Sequence, residues 1–329
     1  MEQRFEADGR RVAVAFRALQ LGDLLVAVPA LKALRRALPE HRLLLTTSAW
    51  LEPVVRLVDA VDGLVPVAAL GEPLPFSPGE VDVVANLHGG GPESAGVVDA
   101  VGARLVVRHA LAPGEPGPRW VEEQHERARW VRLTGAFGMP GDPDDVGVAR
   151  PGVASPAPGA AVVHVGAAFP SREWPADRFA AVARALETAG QRVVFSGSAG
   201  ERDRALEVAQ GAGLPEDRVL AGRTDLAGFA ALVAEAAVVV TADTGAGHLA
   251  SAFRTPSVVL FGPVGPERWG PPPGPHIALT HAEVRDGDAF APGPDPAIAA
   301  VTVDEVLAAV DALFADPQLL PGTPPPGRR

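Results

Sequence analysis

The sequence of 329 residues contains no cysteine and no tyrosine, and only 5% of its residues are aromatic. Without cysteine, the chain has no disulfide bond, no thiolate nucleophile and no cysteine-ligated metal site. Lys32 is the single lysine, so arginine carries almost all of the positive charge, and the net charge is −11. A general nucleic-acid-binding role is disfavoured, because such a role requires a basic surface along the phosphates.

Long hydrophobic runs are also missing. No stretch reaches the roughly 18 apolar residues of a membrane span, and the charged first residues, MEQRFEADGRR, lack the apolar core of a signal peptide. Glycine (36) and proline (34) are abundant, but 47% of the residues are hydrophobic, which excludes disorder as the main state. We therefore expect a folded, soluble and cytoplasmic protein.

The length and the order of predicted elements indicate two domains. The chain exceeds the roughly 250–300 residues at which one core stops growing, and apolar strands alternate with amphipathic helices in both halves. A stretch rich in proline and glycine, 139–159, separates the halves. We predict an N-terminal domain over 1–152, a C-terminal domain over 153–315 and a disordered tail over 316–329. The last amphipathic helix, 303–314, has an apolar face that could pack back on the first domain.

The strongest local signal is the stretch TADTGAGHL, which follows an apolar strand and precedes a helix predicted to begin near His248. A strand that ends in a glycine-containing turn before a helix leaves backbone N–H groups available, and the helix dipole favours an anion there. The hydroxyl of Thr244 can bind a phosphate oxygen, whereas the carboxylate of Asp243 would repel it unless backbone donors hold that carboxylate. The alternative is that Asp243 and Thr244 only cap the helix.

A second signal is FPSREWP, which follows the strand AVVHV and the turn GAA. Arg172 then lies at the carboxyl edge of a parallel strand, where open α/β sheets bind ligands, and its planar guanidinium can bind a diphosphate. The alternative is that Trp174 and Pro175 pack at a helix start and Arg172 is merely solvated.

A third signal is the pair Gly22 and Asp23, which follows the first strand. A carboxylate at that strand end can accept a proton from a nucleophile. A helix cap would have the same pattern.

Two further strand-end loops contain candidate residues. The loop GPVGPERWG carries Arg268, which can contact a ligand or simply pack. The motif HGGG, beginning at His88, resembles an oxyanion loop of lipases, but no G-x-S-x-G nucleophile motif is present, so a hydrolase is not supported. The sequence also lacks GxxxxGK[ST], HExxH and an early GxGxxG, which disfavours kinases, zinc proteases and standard dinucleotide enzymes.

Taken in order along the chain, the motifs resemble glycosyltransferase family 9, the heptosyltransferase-like group. The matching segments are FRALQLGDLLVAVPALKALRRALPEHRLLL, VGAAFPSREWPADRFAAVARAL and TADTGAGHLASAFRTPSVVLFGPVGPERWGP. Weaker matches are VANLHGGG, HERARWVRLTGAFGMP and AGRTDLAGFAALVAEAAVVV. The resemblance is collinear from residue 11 to about residue 315, which is more specific than any one motif.

The resemblance implies the GT-B fold, an α/β architecture in which two Rossmann-like parallel-sheet domains face a central cleft. In this family the N-terminal domain holds the acceptor and the C-terminal domain holds the nucleotide-sugar donor. Transfer is inverting and uses no bound metal, so neither a metal nor another cofactor is expected.

The resemblance also implies roles for residues at matching positions. Asp23 matches the general base, and Arg172 matches a basic residue that contacts the donor diphosphate. The donor-binding DTGxxH segment corresponds to Asp243, Thr244, Gly245, Ala246, Gly247 and His248. Weaker candidates for lining the cleft or holding the acceptor are Gly22, His88, Gly89, Trp174 and Arg268.

By this resemblance the protein is expected to transfer a heptose from ADP-heptose to a glycan or glycolipid. The expected partners are therefore a nucleotide-diphosphate sugar and a hydroxyl acceptor, with no nucleic acid. A basic helix face formed by Lys32, Arg35 and Arg36 is a candidate for contact with an anionic acceptor or with the inner membrane face, although such faces are commonly just solvated.

Departures from the family pattern leave two alternatives open. Ala167 and Ala168 stand where a hydroxyl is usual, Gly265 stands where Asp or Ser is common, and 271–297 does not follow the family. These differences bear on the predicted nucleotide and sugar. One alternative is a GT-B transferase or epimerase that uses a UDP or GDP sugar, and the other is a catalytically silent nucleotide-sugar-binding protein.

Overall fold

A computed structural model describes residues 9–315 of the chain. The chain divides into two compact units, of which the first ends at Asp145 and the second begins at Val146. The tail predicted over 316–329 lies outside the described residues. None of the helices in the described part is long and apolar enough to cross a membrane.

The first unit is a parallel α/β structure. Its strands and helices are β1 (Arg11–Phe16), α1 (Leu21–Ala37), β2 (His41–Thr47), α2 (Glu52–Val55), β3 (Gly63–Pro66), β4 (Val81–Asn86), α3 (Pro92–Asp99), β5 (Leu105–Val107) and α4 (Glu126–Ala136). The strands pair in parallel in the order β3-β2-β1-β4-β5. The strands β1 and β2 are buried along most of their length, as expected for a parallel sheet covered on both faces.

Helix α1 buries one apolar face and pairs its basic residues with acids of the same unit. The buried apolar residues of this helix include Leu24, Val28, Leu31 and Leu34. Lys32 and Arg36 bind the two oxygens of Asp145 at 2.6 and 3.1 Å. Arg35 forms an ion pair with Asp62. The face expected to meet an anionic acceptor or a membrane therefore carries less uncompensated positive charge than the sequence suggests.

A buried aromatic cluster lies between β5 and α4. His109 is 1% exposed, and its ring packs edge-on against Trp120 and Trp130 at centroid distances of 5.0 and 5.9 Å. Neither of its ring nitrogens has a hydrogen-bond partner among residues 9–315. Burial, aided by the charges of Arg132 and Arg129, lowers the pKa of His109 to about 4. This histidine is therefore neutral at pH 7.

The second unit repeats the parallel α/β plan. Its strands and helices are β6 (Ala161–His164), α5 (Ala176–Thr188), β7 (Val193–Ser196), α6 (Arg202–Ala212), α7 (Leu226–Ala234), β8 (Val238–Ala242), α8 (Gly245–Phe253), β9 (Ser257–Leu260), α9 (Pro266–Trp269), β10 (His276–Leu279), α10 (Pro296–Ala300) and α11 (Val303–Ala315). All strand pairs are parallel, in the order β10-β9-β8-β6-β7. Helix α8 begins at Gly245, three residues before the predicted start at His248.

Trp174 lies in the core of the second unit and is fully buried. Its Nε1 donates a 3.0 Å hydrogen bond to the carbonyl of Val301, and its ring packs edge-on against Phe179. The expectation that Trp174 lines a cleft is therefore wrong. The apolar face of α11 is buried in the same core, through residues that include Val306 and Val310.

We expect His109 to make the stability of the protein pH-dependent. The unfolded chain binds a proton at this residue below about pH 6.5, whereas the folded protein does so only near pH 4. The free energy of unfolding should therefore fall as the pH falls through this window. The variant His109→Phe should lose up to about 3 kcal/mol of that pH-dependent change. Urea unfolding of both proteins between pH 7 and pH 4 measures the difference.

The variant His281→Phe is the matched control, since ion pairs with Glu283 and Glu305 raise the pKa of His281. A histidine with a raised pKa contributes stability at low pH and loses it as the pH rises, so this control should shift the profile in the opposite direction. Parallel pH profiles for the parent protein and His109→Phe would contradict the assignment.

Candidate functional site

Open parallel sheets bind ligands at a switch point, where connections leave neighbouring strands in opposite directions, outside the carboxyl ends of those strands. In the first unit this point lies between β1 and β4, and in the second it lies between β6 and β8. The loops after these strands contain most of the residues that the sequence singles out. Each unit therefore has its own candidate site.

Arg172 is the cationic side chain at the switch point of the second unit. It lies in the short turn Pro170–Arg172, and its Nη1 is 3.4 Å from Oδ2 of Asp243. Asp243 is 5% exposed, and its Oδ1 is 3.8 Å from Nε2 of His248. Nε of Arg172 is buried and has no hydrogen-bond partner within the described part of the chain. Asp243 is thus held between two basic groups, and Arg172 keeps one buried donor available for an anion.

Thr244, which follows Asp243, is the N-cap residue of helix α8. The amide of Ala246 donates to Oγ1 of Thr244 at 3.3 Å, and the amide of Gly247 donates to the Thr244 carbonyl at 3.1 Å. The Thr244 hydroxyl also shares a 2.9 Å hydrogen bond with the hydroxyl of Thr241. The capping alternative therefore describes Thr244, and the positive end of the helix dipole lies next to the ion pair.

A carboxylate that the sequence analysis missed lies on the β7 side of β6. Oε2 of Glu201 accepts a 2.6 Å hydrogen bond from the amide of Ser198, just after β7. A Cβ atom added to Gly166 would lie 2.2 Å from the same oxygen, so the loop after β6 lies directly against this carboxylate. The S-x-x-E spacing of Ser198 and Glu201 directly after a strand could have indicated this arrangement.

Arg268 lies on α9, on the β9 side of the same site. The ring of the adjacent Trp269 is 6.0 Å from the ring of His248 and edge-on to it. This contact brings the α9 segment next to the first turn of α8, whereas Glu201 lies on the opposite side, towards β7.

Asp23 follows Gly22 in the first turn of α1, at the switch point of the first unit. Its Oδ2 accepts a 3.3 Å hydrogen bond from the amide of Gln20, and its Oδ1 is 3.3 Å from Nη2 of Arg17. The side chain is 25% exposed. Asp23 is therefore not the N-cap that the alternative predicted, but the third residue of the helix, where its carboxylate completes a capping box with Gln20 and remains accessible.

Arg17 is a second residue that the sequence analysis missed. Its side chain is 1% exposed, and it donates hydrogen bonds to the carbonyls of Asp23 and Leu87. Its guanidinium carbon is 4.7 Å from the ring centroid of Trp130. Burial lowers the pKa of Arg17, and the nearby Asp23 opposes that shift. Through these two hydrogen bonds, Arg17 connects the start of α1 to the loop after β4.

His88 and Gly89 lie in that loop. Nδ1 of His88 accepts a 3.2 Å hydrogen bond from the amide of Ala18, and its ring stacks on Phe16 at 4.9 Å. Burial and the charge of Arg17 lower the pKa of His88. The ring is therefore neutral at pH 7, with its proton on Nε2. Together, His88, Arg17 and Asp23 form the polar group of the first unit's site.

Potential metal ligands are not grouped in residues 9–315: no set of three or more His, Asp or Glu side chains there is arranged to hold a metal ion. The positive charge at the second unit's site comes from Arg172, from the start of α8 and, when it is protonated, from His248.

Comparison with known proteins gives a family match across the second unit. Residues 147–283 match the model of glycosyltransferase family 9 (heptosyltransferase). Lipopolysaccharide heptosyltransferase 1 of Pseudomonas aeruginosa is 34% identical over 151 residues, which make up 45% of this chain and 42% of that protein. The alignment thus spans less than half the length of this curated relative.

Solved structures match over nearly the whole chain. A family 9 glycosyl transferase from Veillonella parvula superposes with a TM-score of 0.75 at 20% identity, covering 94% of this chain and 98% of that one. The ADP-heptose lipopolysaccharide heptosyltransferase II of Escherichia coli gives a TM-score of 0.73 at 20% identity, covering 92% and 98%. The two parallel-sheet units therefore form a GT-B fold. The sequence of the second unit is similar to glycosyltransferase family 9 (heptosyltransferase) and to a lipopolysaccharide heptosyltransferase of that kind.

Proposed function

We propose that this protein transfers a heptose-like sugar from a nucleoside diphosphate donor to a hydroxyl group of a glycan or glycolipid. The observation that carries the proposal is the buried, unpartnered Nε of Arg172 beside the start of α8. A guanidinium with an available donor next to a helix N-terminus suits a diphosphate. The structurally similar Escherichia coli protein is an ADP-heptose lipopolysaccharide heptosyltransferase, which supports ADP-heptose as the donor.

The second unit is assigned the donor, with its diphosphate at the switch point between β6 and β8. Arg172 and the first turn of α8 supply the positive potential that the departing diphosphate requires. Asp243 orients Arg172 and His248 through its two oxygens, 3.4 and 3.8 Å from their nitrogens. The carboxylate therefore serves the anion site indirectly, by fixing the groups that face the anion.

The nucleoside is assigned to the β7 side of the diphosphate. In Rossmann-type units an acidic residue after the second strand accepts hydrogen bonds from the ribose hydroxyls. Glu201 occupies that place, because β7 is the second strand of its unit and the carboxylate lies against the loop after β6. We assign Glu201 to the ribose of the donor.

The first unit is assigned the acceptor and the base. The acceptor oxygen attacks the anomeric carbon, the bond from that carbon to the diphosphate oxygen breaks, and the nucleoside diphosphate leaves with the electron pair. Asp23 takes the proton of the acceptor hydroxyl. Arg17, buried behind it, holds the carboxylate in place. A single displacement of this kind inverts the configuration at the anomeric carbon.

We further propose that the reaction runs without a resident metal, because the cationic groups that the leaving diphosphate requires are supplied by the chain itself. Transfer should then persist in excess EDTA. For localisation we propose a cytoplasmic protein whose glycolipid acceptor would bring it to the inner membrane face. The ion pairs of α1 give the basic face of that helix little support as the contact surface.

The direct test is transfer of heptose from ADP-heptose to an acceptor glycan, with the anomeric configuration of the product determined by NMR. A thermal-shift comparison of ADP, UDP and GDP separates the proposed donor from the alternative donors, since the nucleotide that binds the folded protein raises its midpoint. Donor binding without transfer or hydrolysis would favour the catalytically silent alternative.

We expect Asp23→Asn to lower kcat by about 100- to 10,000-fold, the usual contribution of a general base. The asparagine oxygen can still accept the hydrogen bond from Gln20, so the helix start is retained. The affinity for ADP should stay unchanged, because the donor is assigned to the other unit. Asp145→Asn, which removes the carboxylate paired with Lys32 of α1, is the control and should keep its activity. Full activity of Asp23→Asn would remove Asp23 as the base.

We expect Arg172→Met to weaken ADP binding by about 1.5–3 kcal/mol, the range for hydrogen bonds to charged groups. Isothermal calorimetry measures the change. Arg172→Lys should retain part of the affinity, because it keeps the charge and loses the two-pronged geometry. Arg223→Met, at an exposed arginine paired with Glu216, is the matched control. Equal affinities for ADP in the parent protein and Arg172→Met would refute the role assigned to this arginine.

A further inference from the structure

Two phenylalanines stand exposed beside Arg172. Phe290 is 75% exposed, more than any other large hydrophobic side chain in residues 9–315, and Phe169 is 37% exposed. Their rings are 5.0 Å apart and nearly perpendicular. An exposed aromatic pair leaves apolar surface in water, which burial against a ligand would remove.

The segment that carries Phe290 is fixed to the turn that carries Arg172. The hydroxyl of the buried Ser171 donates to the carbonyl of Ala289 at 2.6 Å, and the amide of Asp295 donates to the carbonyl of Ser171 at 2.9 Å. The buried carboxylate of Asp295 also accepts a 3.0 Å hydrogen bond from the amide of Gly287. Phe290 therefore has a defined position relative to Arg172.

Phe169 belongs to the same turn. Its carbonyl accepts a 3.0 Å hydrogen bond from the amide of Arg172. The aromatic pair thus lies next to the proposed diphosphate position. Phe169 comes from the loop that carries Arg172, and Phe290 comes from the segment 271–297, whose sequence departs from the family pattern.

The pair also lies on the side where the sugar is expected. With the nucleoside towards β7, at Glu201, the group on the other end of the diphosphate extends towards β9. Nε of Arg285 donates a 2.9 Å hydrogen bond to the carbonyl of Gly262, so the segment bearing Phe290 is attached just beyond the end of β9. The two ends of a sugar nucleotide would then meet different chemistry, a carboxylate at one end and aromatic rings at the other.

We propose that Phe169 and Phe290 form a platform for the pyranose ring of the donor sugar. The face of an aromatic ring carries partial negative charge, and the C–H groups of a sugar ring carry partial positive charge, so the two stack while the hydroxyl groups stay solvated. The edge-on geometry of the pair leaves ring surface available for this contact. The inference rests on the proposed function, because it assumes a nucleotide-sugar donor.

The test is calorimetric binding of ADP and of ADP-heptose to the parent protein and to Phe290→Ala. The variant should bind ADP with unchanged affinity and ADP-heptose about 3- to 10-fold more weakly, from the usual strength of an aromatic contact. Phe290→Trp should restore the affinity for ADP-heptose. Val284→Ala, at a 46% exposed residue of the preceding segment, is the matched control and should leave both affinities unchanged.

Three outcomes would overturn the platform. An equal loss of affinity for ADP and ADP-heptose in Phe290→Ala would place the pair against the nucleoside. No loss of affinity for either ligand would show that the pair does not contact the donor. An unchanged donor affinity with a raised KM for the acceptor would assign it to the acceptor. If the parent protein binds none of ADP, UDP, GDP and ADP-heptose, the proposed function itself fails, and the platform with it.

Discussion

The ion pair between Arg172 and Asp243 connects the two loops on which the second unit's site depends. One loop follows β6 and the other follows β8, so this 3.4 Å contact joins the two loops that flank the switch point. A carboxylate as buried as Asp243 requires a basic partner, because an unpaired charge away from water is strongly unfavourable. The same contact leaves Nε of Arg172 buried without a partner, which is a cost that a bound anion would remove. The orientation of the guanidinium therefore depends on this interaction, whereas the turn itself is also held by the hydrogen bonds of Ser171.

The first unit also contains an arginine–carboxylate pair, but the exposed member of the pair is different. There too an arginine after the first strand pairs with a carboxylate beside a helix N-terminus, through Arg17 and Asp23. Arg17 is 1% exposed and its donors are used by carbonyls, whereas 24% of the Arg172 side chain is exposed. In the first unit the carboxylate is therefore the accessible member of the pair, and in the second unit it is the arginine. This difference fits a proton acceptor in one unit and an anion-binding group in the other.

Much of this arrangement could be predicted from the sequence, because alternating apolar strands and amphipathic helices specify parallel sheets whose loops meet at one edge. That logic places Asp23, Arg172 and Asp243 at strand ends. It does not reveal Arg17, whose position directly after a strand carries no local signal and whose hydrogen bond to the carbonyl of Leu87 reaches another loop. The expectation that Trp174 lines a cleft was wrong because the buried position of this residue involves a hydrogen bond to the carbonyl of Val301, 127 residues later in the chain. Contacts between distant segments decide such cases, and local patterns do not contain them.

The attachment of the Phe290 segment has a consequence for how this protein could diversify. The hydrogen bonds that hold the segment involve backbone groups of Ala289 and Gly287 and the side chains of Ser171 and Asp295, and none of them uses the side chain of Phe290. A substitution at this one exposed position therefore changes the surface next to Arg172 and leaves the hydrogen bonds that hold the segment intact. Surface substitutions of this kind usually alter stability by less than about 0.5 kcal/mol. Under the proposed function, residue 290 can therefore be changed to suit a different donor sugar without a large loss of stability.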